Sequence, residues 1–246
     1  MNKRKILVPL DENLMTATLM TFMMRLAAKN DFSLIFLKNE ATPGALLAFD
    51  QFRELEEEYG VDYRVETVAG DWIRSVNELG DKYAIDLVAL STGADSSRSQ
   101  DFIAAVERPM LIFPNRWAPK EIKKIGFACD NHSFQDSSVL SILWYLAIEL
   151  KAEVYIIHIS DKPVVHWELN GRVEDSIEFY LQDVEHHYEF IHSDNVANSL
   201  LDFCEERGLD MLATMPRDHQ INRLEDGGKV TGQLIEKAPI PIITID

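Results

Sequence analysis

Cysteine is nearly absent: Cys129 and Cys204 are the two thiols among 246 residues. Two are too few for a disulfide framework and neither stands in a CxxC metal spacing, so the chain is expected to fold without covalent staples in a reducing cytoplasm. Proline is scarce as well, at nine residues, and with 46% hydrophobic and 26% charged residues the composition excludes a disordered chain. Basic charge is in short supply. The 24 Lys and Arg residues face 41 Asp and Glu, a net charge of −17, which repels the phosphates of DNA or RNA and the anionic face of a membrane. Neither nucleic acid nor membrane is an expected partner. Long apolar runs are missing too: MNKRKILVPLDE is broken by Pro9 and Asp11 before signal-peptide length, and no stretch nears the roughly 18 apolar residues of a membrane span.

What the sequence does contain is one plan written twice. KILVPLD at 5–11 matches KIGFACD at 124–130, AIDLVALST at 84–92 matches GLDMLATMP at 208–216, and the proline-led runs RPMLIFP at 108–114 and APIPIITID at 238–246 close the two halves. The offsets between matched positions grow, from 119 (Asp11 to Asp130) through 124 (Asp86 to Asp210) to 132 (Pro109 to Pro241). The second copy therefore carries insertions, the later one between its fourth and fifth strands. NRWAPKEIKK at 115–124 is polar and reads as a short linker, which predicts domains at 1–119 and 120–246.

Within each half, apolar runs of four to seven residues alternate with segments of helical period, the pattern of βαβ units and a parallel sheet. Strands are expected near 5–10, 33–38, 63–68, 86–91 and 109–113, and near 124–129, 153–159, 187–192, 209–214 and 240–245. Helices are expected near 14–29, 45–59, 71–83 and 99–106, and near 134–150, 172–184, 194–207 and 228–237. The continuous Val, Ile and Leu content of the strands suits sheets covered on both faces. Asp71 and Asp194 stand where N-caps belong, and Gly60 and Gly208 follow helical patterns where a left-handed residue ends a helix.

These residues resemble the universal stress proteins, here as a tandem pair. The resemblance rests on the first strand ending in Asp (Asp11, Asp130), the helix starts Gly70-Asp71 and Ser193-Asp194, the Asp-led fourth strand and the Ala-Pro-Ile-Pro lead at 238–241, and it covers nearly the whole chain. It implies an α/β fold of two similar doubly wound domains, Rossmann-like and adenine nucleotide alpha hydrolase-like. Each has a five-stranded parallel sheet, and the two pair through their last strands as a pseudo-dimer. Such pairing would cover an apolar edge strand. Ligands in these sheets bind at the carboxyl ends of the strands near the topological switch point. That places Asp11, Thr92 and Gly93 in the first half, and Asp130 and the loop at 215–229 in the second, at candidate binding edges.

Nucleotide-binding members carry Gly-x2-Gly-x9-Gly-Ser/Thr after the fourth strand, where glycines let backbone amides approach phosphate. In register with Ala-Pro-Ile-Pro, those positions hold Met215, Asp218, Gly228 and Lys229. One glycine of three remains, and Asp218 opposes a polyanion. Arg217, Gly227, Gly228 and Lys229 leave room for a small anion at the helix start. In the first half the loop STGADSSRSQDF at 91–102 is shorter: Asp86 to Pro109 is 23 residues against 31 from Asp210 to Pro241.

All seven histidines lie in the second half. His132, His158 and His219 are placed near Asp130 at the carboxyl edge, and imidazoles with a carboxylate suit zinc; the spacings of 26 and 61 residues are not a metal signature. His186 and His187 are adjacent and so face opposite sides of a strand. The methionines of the first helix (Met15, Met20, Met23, Met24) read as core, and ELEEEYG at 54–60 as a solvated face. The first half has 13 basic against 18 acidic residues (net −5) and the second 11 against 23 (net −12).

The leading reading is a cytoplasmic, non-enzymatic stress-response binding or regulatory module with a degenerate nucleotide motif and no cofactor. It would act through protein partners, its own last strands, a small anionic ligand at the sheet edge, or a further homodimer. One rival is an ATP-binding member with slow ATPase activity. The other is a zinc-binding module around Asp130, His132, His158 and His219.

Overall fold

The computed structural model describes residues 3–10, 17–29, 32–40, 57–61, 63–92, 105–129, 140–160, 171–215 and 227–245. The chain divides into two compact units, Met1–Pro119 and Lys120–Asp246.

The first unit runs β1 (Arg4–Pro9), α1 (Ala17–Lys29), β2 (Phe32–Asn39), β3 (Tyr63–Val68), α2 (Trp72–Tyr83), β4 (Leu87–Ser91) and β5 (Met110–Phe113). Its strands are parallel in the order β3-β2-β1-β4-β5. The second runs β6 (Lys124–Ala128), α3 (Leu140–Leu150), β7 (Glu153–Ser160), α4 (Gly171–Leu181), β8 (His186–His192), α5 (Val196–Arg207), β9 (Met211–Thr214), α6 (Gly227–Lys237) and β10 (Ile242–Thr244). It repeats the parallel order as β8-β7-β6-β9-β10. Each sheet is doubly wound, with its switch point between the first and fourth strands.

The central strands are the apolar runs of the sequence. Leu87 to Leu90 and Ile6 to Val8 are fully shielded in the first unit, as are Met211 to Ala213 in the second, because helices cover both faces of a parallel sheet. The outlying β3 and β8 are only half-buried, and there polar residues such as Arg64, Glu66 and Glu189 enter the pattern.

The sheet registers also give the alignment of the halves. Ile6 pairs Leu87 as Ile125 pairs Met211, and Val88 pairs Met110 as Leu212 pairs Ile242. From Val88 to Met110 is 22 positions and from Leu212 to Ile242 is 30, so the later insertion lies between the fourth and fifth strands of the second copy.

Two aspartates that mark the repeat turn out to work at the amino ends of the strands. The Asp86 carboxylate accepts from the Lys5 amide at 2.8 Å and from Arg4 Nη1 at 2.5 Å, while the Asp86 amide donates back to the Lys5 carbonyl. Asp210 repeats the arrangement: it accepts from the amides of Lys123 (2.8 Å) and Lys124 (3.0 Å) and pairs with Lys120 Nζ at 2.6 Å. Each stitches the fourth strand to the first, far from the carboxyl edge.

The helix ends differ between copies. Asp71 caps α2, accepting from the Arg74 amide at 2.8 Å. The matching Asp194 does not cap α5; Asn195 does, accepting from the Asn198 amide at 3.2 Å. The Ser193 hydroxyl takes the Asn195 amide, and the helix starts one residue later than the sequence pattern predicts. At the other ends, Gly208 closes α5 with φ 63° and Ala84 closes α2 with φ 50°. Glycine adopts this left-handed region freely, whereas a Cβ is crowded by the following carbonyl. Ala84→Gly is therefore expected to stabilise the first unit by about 0.5–1 kcal/mol, and Gly208→Ala to destabilise the second by a similar amount, as read by urea unfolding.

Candidate functional site

The crevice of a doubly wound sheet opens at the carboxyl ends of its first and fourth strands. In the first unit those ends are Pro9 and Ser91, and in the second Ala128 and Thr214. Asp11, Gly93, Asp130, His132, Arg217 and His219 lie outside the described residues. Thr92, His158 and the backbone of Gly227, Gly228 and Lys229 lie within them.

Thr92 is buried and committed to the fold. Its amide donates to the Phe113 carbonyl at 2.8 Å, and its Oγ1 accepts from the Asn115 amide at 3.0 Å. That bond holds the turn after β5 and brings Trp117 against Phe113 and Phe22, with ring centroids 4.9 and 5.0 Å away; Phe22 and Phe113 are themselves 5.2 Å apart. The end of β5 is thus closed by the chain's own aromatic side chains. The stretch 115–124, whose polarity predicts a linker, contains buried Trp117 and Ile122 and is part of the packed structure. An aromatic residue inside a polar stretch was the available signal.

His158, at the carboxyl end of β7, is half-buried. Its Nδ1 lies 3.1 Å from the Cys129 carbonyl, and because a carbonyl only accepts, Nδ1 carries the hydrogen of that contact. Its ring meets Phe190 edge-on at 6.2 Å. The position equivalent to His158 in the first unit is Lys38, by the matching bonds of Leu10 to Leu37 and Cys129 to Ile157.

Two hydroxyls outside the predicted site residues sit at the same edges. Ser91 Oγ at the end of β4 and Thr214 Oγ1 at the end of β9 are buried with no hydrogen-bond partner among the described residues, as is Trp117 Nε1. Buried polar atoms of this kind call for water or a ligand. In the second unit α6 begins at Gly227, so its first-turn amides lack intrahelical partners and carry the positive end of the helix dipole.

No protein-family model matches the chain, and no curated protein matches it. Solved structures do. A universal stress protein from Archaeoglobus fulgidus superposes with a TM-score of 0.72 over 98% of this chain and 98% of its own, at 16% identity. A protein described as a putative universal stress protein from Pseudomonas aeruginosa gives 0.64 over 99% and 93%, at 11% identity. The chain has the tandem universal stress protein fold. The cytoplasmic domain of a prokaryotic cation chloride cotransporter shares it, with a TM-score of 0.65 over 99% of this chain and 96% of that one, at 12% identity.

Within this universal stress protein fold, several other reactive side chains among the described residues are engaged in packing or hydrogen bonds. The thiols of Cys129 and Cys204 are buried, and burial pushes the Cys204 thiol up to about 12, which keeps it protonated. Glu178 of α4 accepts from the Tyr188 hydroxyl at 2.8 Å and pairs with His186 Nε2 at 3.2 Å. Those two contacts hold its carboxyl below the usual range, while burial, then Glu178, pushes the Tyr188 phenol up. They tie α4 to β8. Among the described residues no helix is long and apolar enough to cross a membrane.

Proposed function

We propose that the chain is a cytoplasmic, non-enzymatic stress-response module of the universal stress protein kind, acting through protein contacts or a small anionic ligand at the carboxyl edge of its sheets. The observation that carries this reading is the residue following β9. The pairing of Thr214 with Thr244 ends that strand just before Met215, and counting back from Ala-Pro-Ile-Pro, the resemblance implies the first loop glycine at Met215, with Asp218 and Lys229 at two further positions of the motif. A side chain at Met215 keeps the backbone from the close approach that phosphate binding needs. In the first unit Thr92 is engaged by Asn115, and the loop is eight residues shorter, 22 positions against 30.

What survives is suited to something smaller than a triphosphate. The amides at the start of α6 and the buried Thr214 hydroxyl are donors for a small anion. The fold is shared with the cytoplasmic domain of a cation chloride cotransporter, so the fold by itself does not imply an enzyme.

Thermal unfolding of the purified protein tests this. Millimolar ATP with Mg²⁺ is expected to leave the melting temperature unchanged. A saturable rise of several degrees, the mass-action signature of a ligand selective for the native state, would overturn the reading in favour of an ATP-binding protein.

A further inference from the structure

Away from the carboxyl edge, at the amino ends of β7 and β8, the second unit gathers a set of metal-ligating atoms. Glu153 opens β7, Glu185 immediately precedes β8 and His187 is its second residue. One ligand atom from each lies within 4.8 Å of the others. His187 Nε2 is 3.2 Å from Glu153 Oε2 and 3.7 Å from Glu185 Oε1. Zinc bonded to nitrogen and oxygen at about 2.0–2.1 Å, with tetrahedral angles, holds neighbouring donor atoms about 3.3–3.4 Å apart. The two edges from His187 Nε2 bracket that value.

The ring is also oriented for the task. Tyr155, the register partner of His187, lies against it with centroids 5.0 Å apart, which aims Nε2 at the two carboxylates. His186 faces the other way, to Glu178 and the Val184 carbonyl. Lys124 approaches Glu153 through the other carboxylate oxygen, Oε1, at 3.6 Å, and leaves Oε2 directed to His187. Imidazole with two carboxylates is a borderline donor set that suits zinc-class ions above calcium or magnesium, which prefer all-oxygen shells. The net charge of −12 on residues 120–246, from 11 basic and 23 acidic residues, concentrates cations near this surface.

We propose that Glu153, Glu185 and His187 form a surface site for a zinc-class divalent ion, separate from the carboxyl edge, that clamps β7 to β8 when occupied. It stands independently of the small-ligand reading. The opposing account is a plain imidazole–carboxylate pair.

The test is a zinc titration of the untagged full chain, stripped with EDTA and exchanged into buffer, by calorimetry. Wild type is expected to show a saturable site that is weakened at least about tenfold, or about 1.4 kcal/mol, by His187→Ala and unaffected by His158→Ala. Cobalt(II) is expected to broaden the His187 ring resonances in the NMR spectrum. Because His187 is exposed, the variant's melting transition in EDTA should match wild type. Zinc binding that is unchanged in His187→Ala, lost in His158→Ala, or absent from wild type up to millimolar zinc overturns the proposal.

Discussion

Asp210→Ala is expected to destabilise the second unit by about 3 kcal/mol, because charge-assisted hydrogen bonds contribute roughly 1.5–3 kcal/mol each and their loss leaves donors unpaired. The carboxylate is only 13% exposed and serves three donors, the amides of Lys123 and Lys124 and the ammonium of Lys120. Alanine leaves two backbone amides at the start of β6 without their acceptor. Asparagine retains one carbonyl oxygen, so Asp210→Asn is expected to lose about half as much. Asp86→Ala should behave alike in the first unit, somewhat more mildly, since that side chain is 23% exposed. Urea unfolding followed by tryptophan fluorescence measures each. A loss below about 0.5 kcal/mol for Asp210→Ala, the level of an ordinary surface change, would refute the stitching role.

Trp117→Ala is expected to cost the first unit about 3–5 kcal/mol, the range for truncating a buried tryptophan. The indole is 5% exposed and packs on both Phe22 and Phe113, so its removal leaves a cavity lined by rings from α1 and β5. Thr92→Val keeps the volume but strands the Asn115 amide, and should cost about 1–2 kcal/mol. The two changes act on one turn and should therefore be non-additive, the double variant losing less than the sum. Unfolding energies of the three variants check this; strict additivity would show that the hydroxyl and the ring do not hold the turn together.

The fold was legible because its signals are redundant. Apolar runs such as LVAL at 87–90 and MLA at 211–213 coincide with buried central strands, and the twofold repeat confirms each run by its partner. Gly208 was legible at a helix end, but Ala84 was not, because nothing in an alanine signals a left-handed backbone that its surroundings impose. Asp194 misled by one position, since the competing Ser193 hydroxyl took the amide next to it. Trp117 was hidden in a polar stretch whose burial depends on tertiary contacts with Phe22, 95 positions earlier in the chain.

The candidate site was less legible for a physical reason. Its chemistry depends on which polar groups are already engaged, and sequence does not show that Thr92 is taken by Asn115 or that the Thr214 hydroxyl has no partner among the described residues. Adjacency of His186 and His187 in a strand predicts opposite faces, which the structure bears out, but not the partners each ring meets. Strand alternation sends one ring to Glu178 and the other to Glu153 and Glu185, and the latter set is assembled from two strands whose register only the sheet supplies.

The central claim is that the loop after β9 no longer admits a nucleotide because of the residues at 215, 218 and 229. Equilibrium dialysis against labelled ATP and Mg²⁺, comparing wild type with Met215→Gly, Asp218→Gly, Lys229→Ser combined, tests it most directly. The account predicts no saturable retention by wild type at millimolar ATP and saturable retention by the triple variant. Wild type retaining ATP as well as the triple variant does would contradict it.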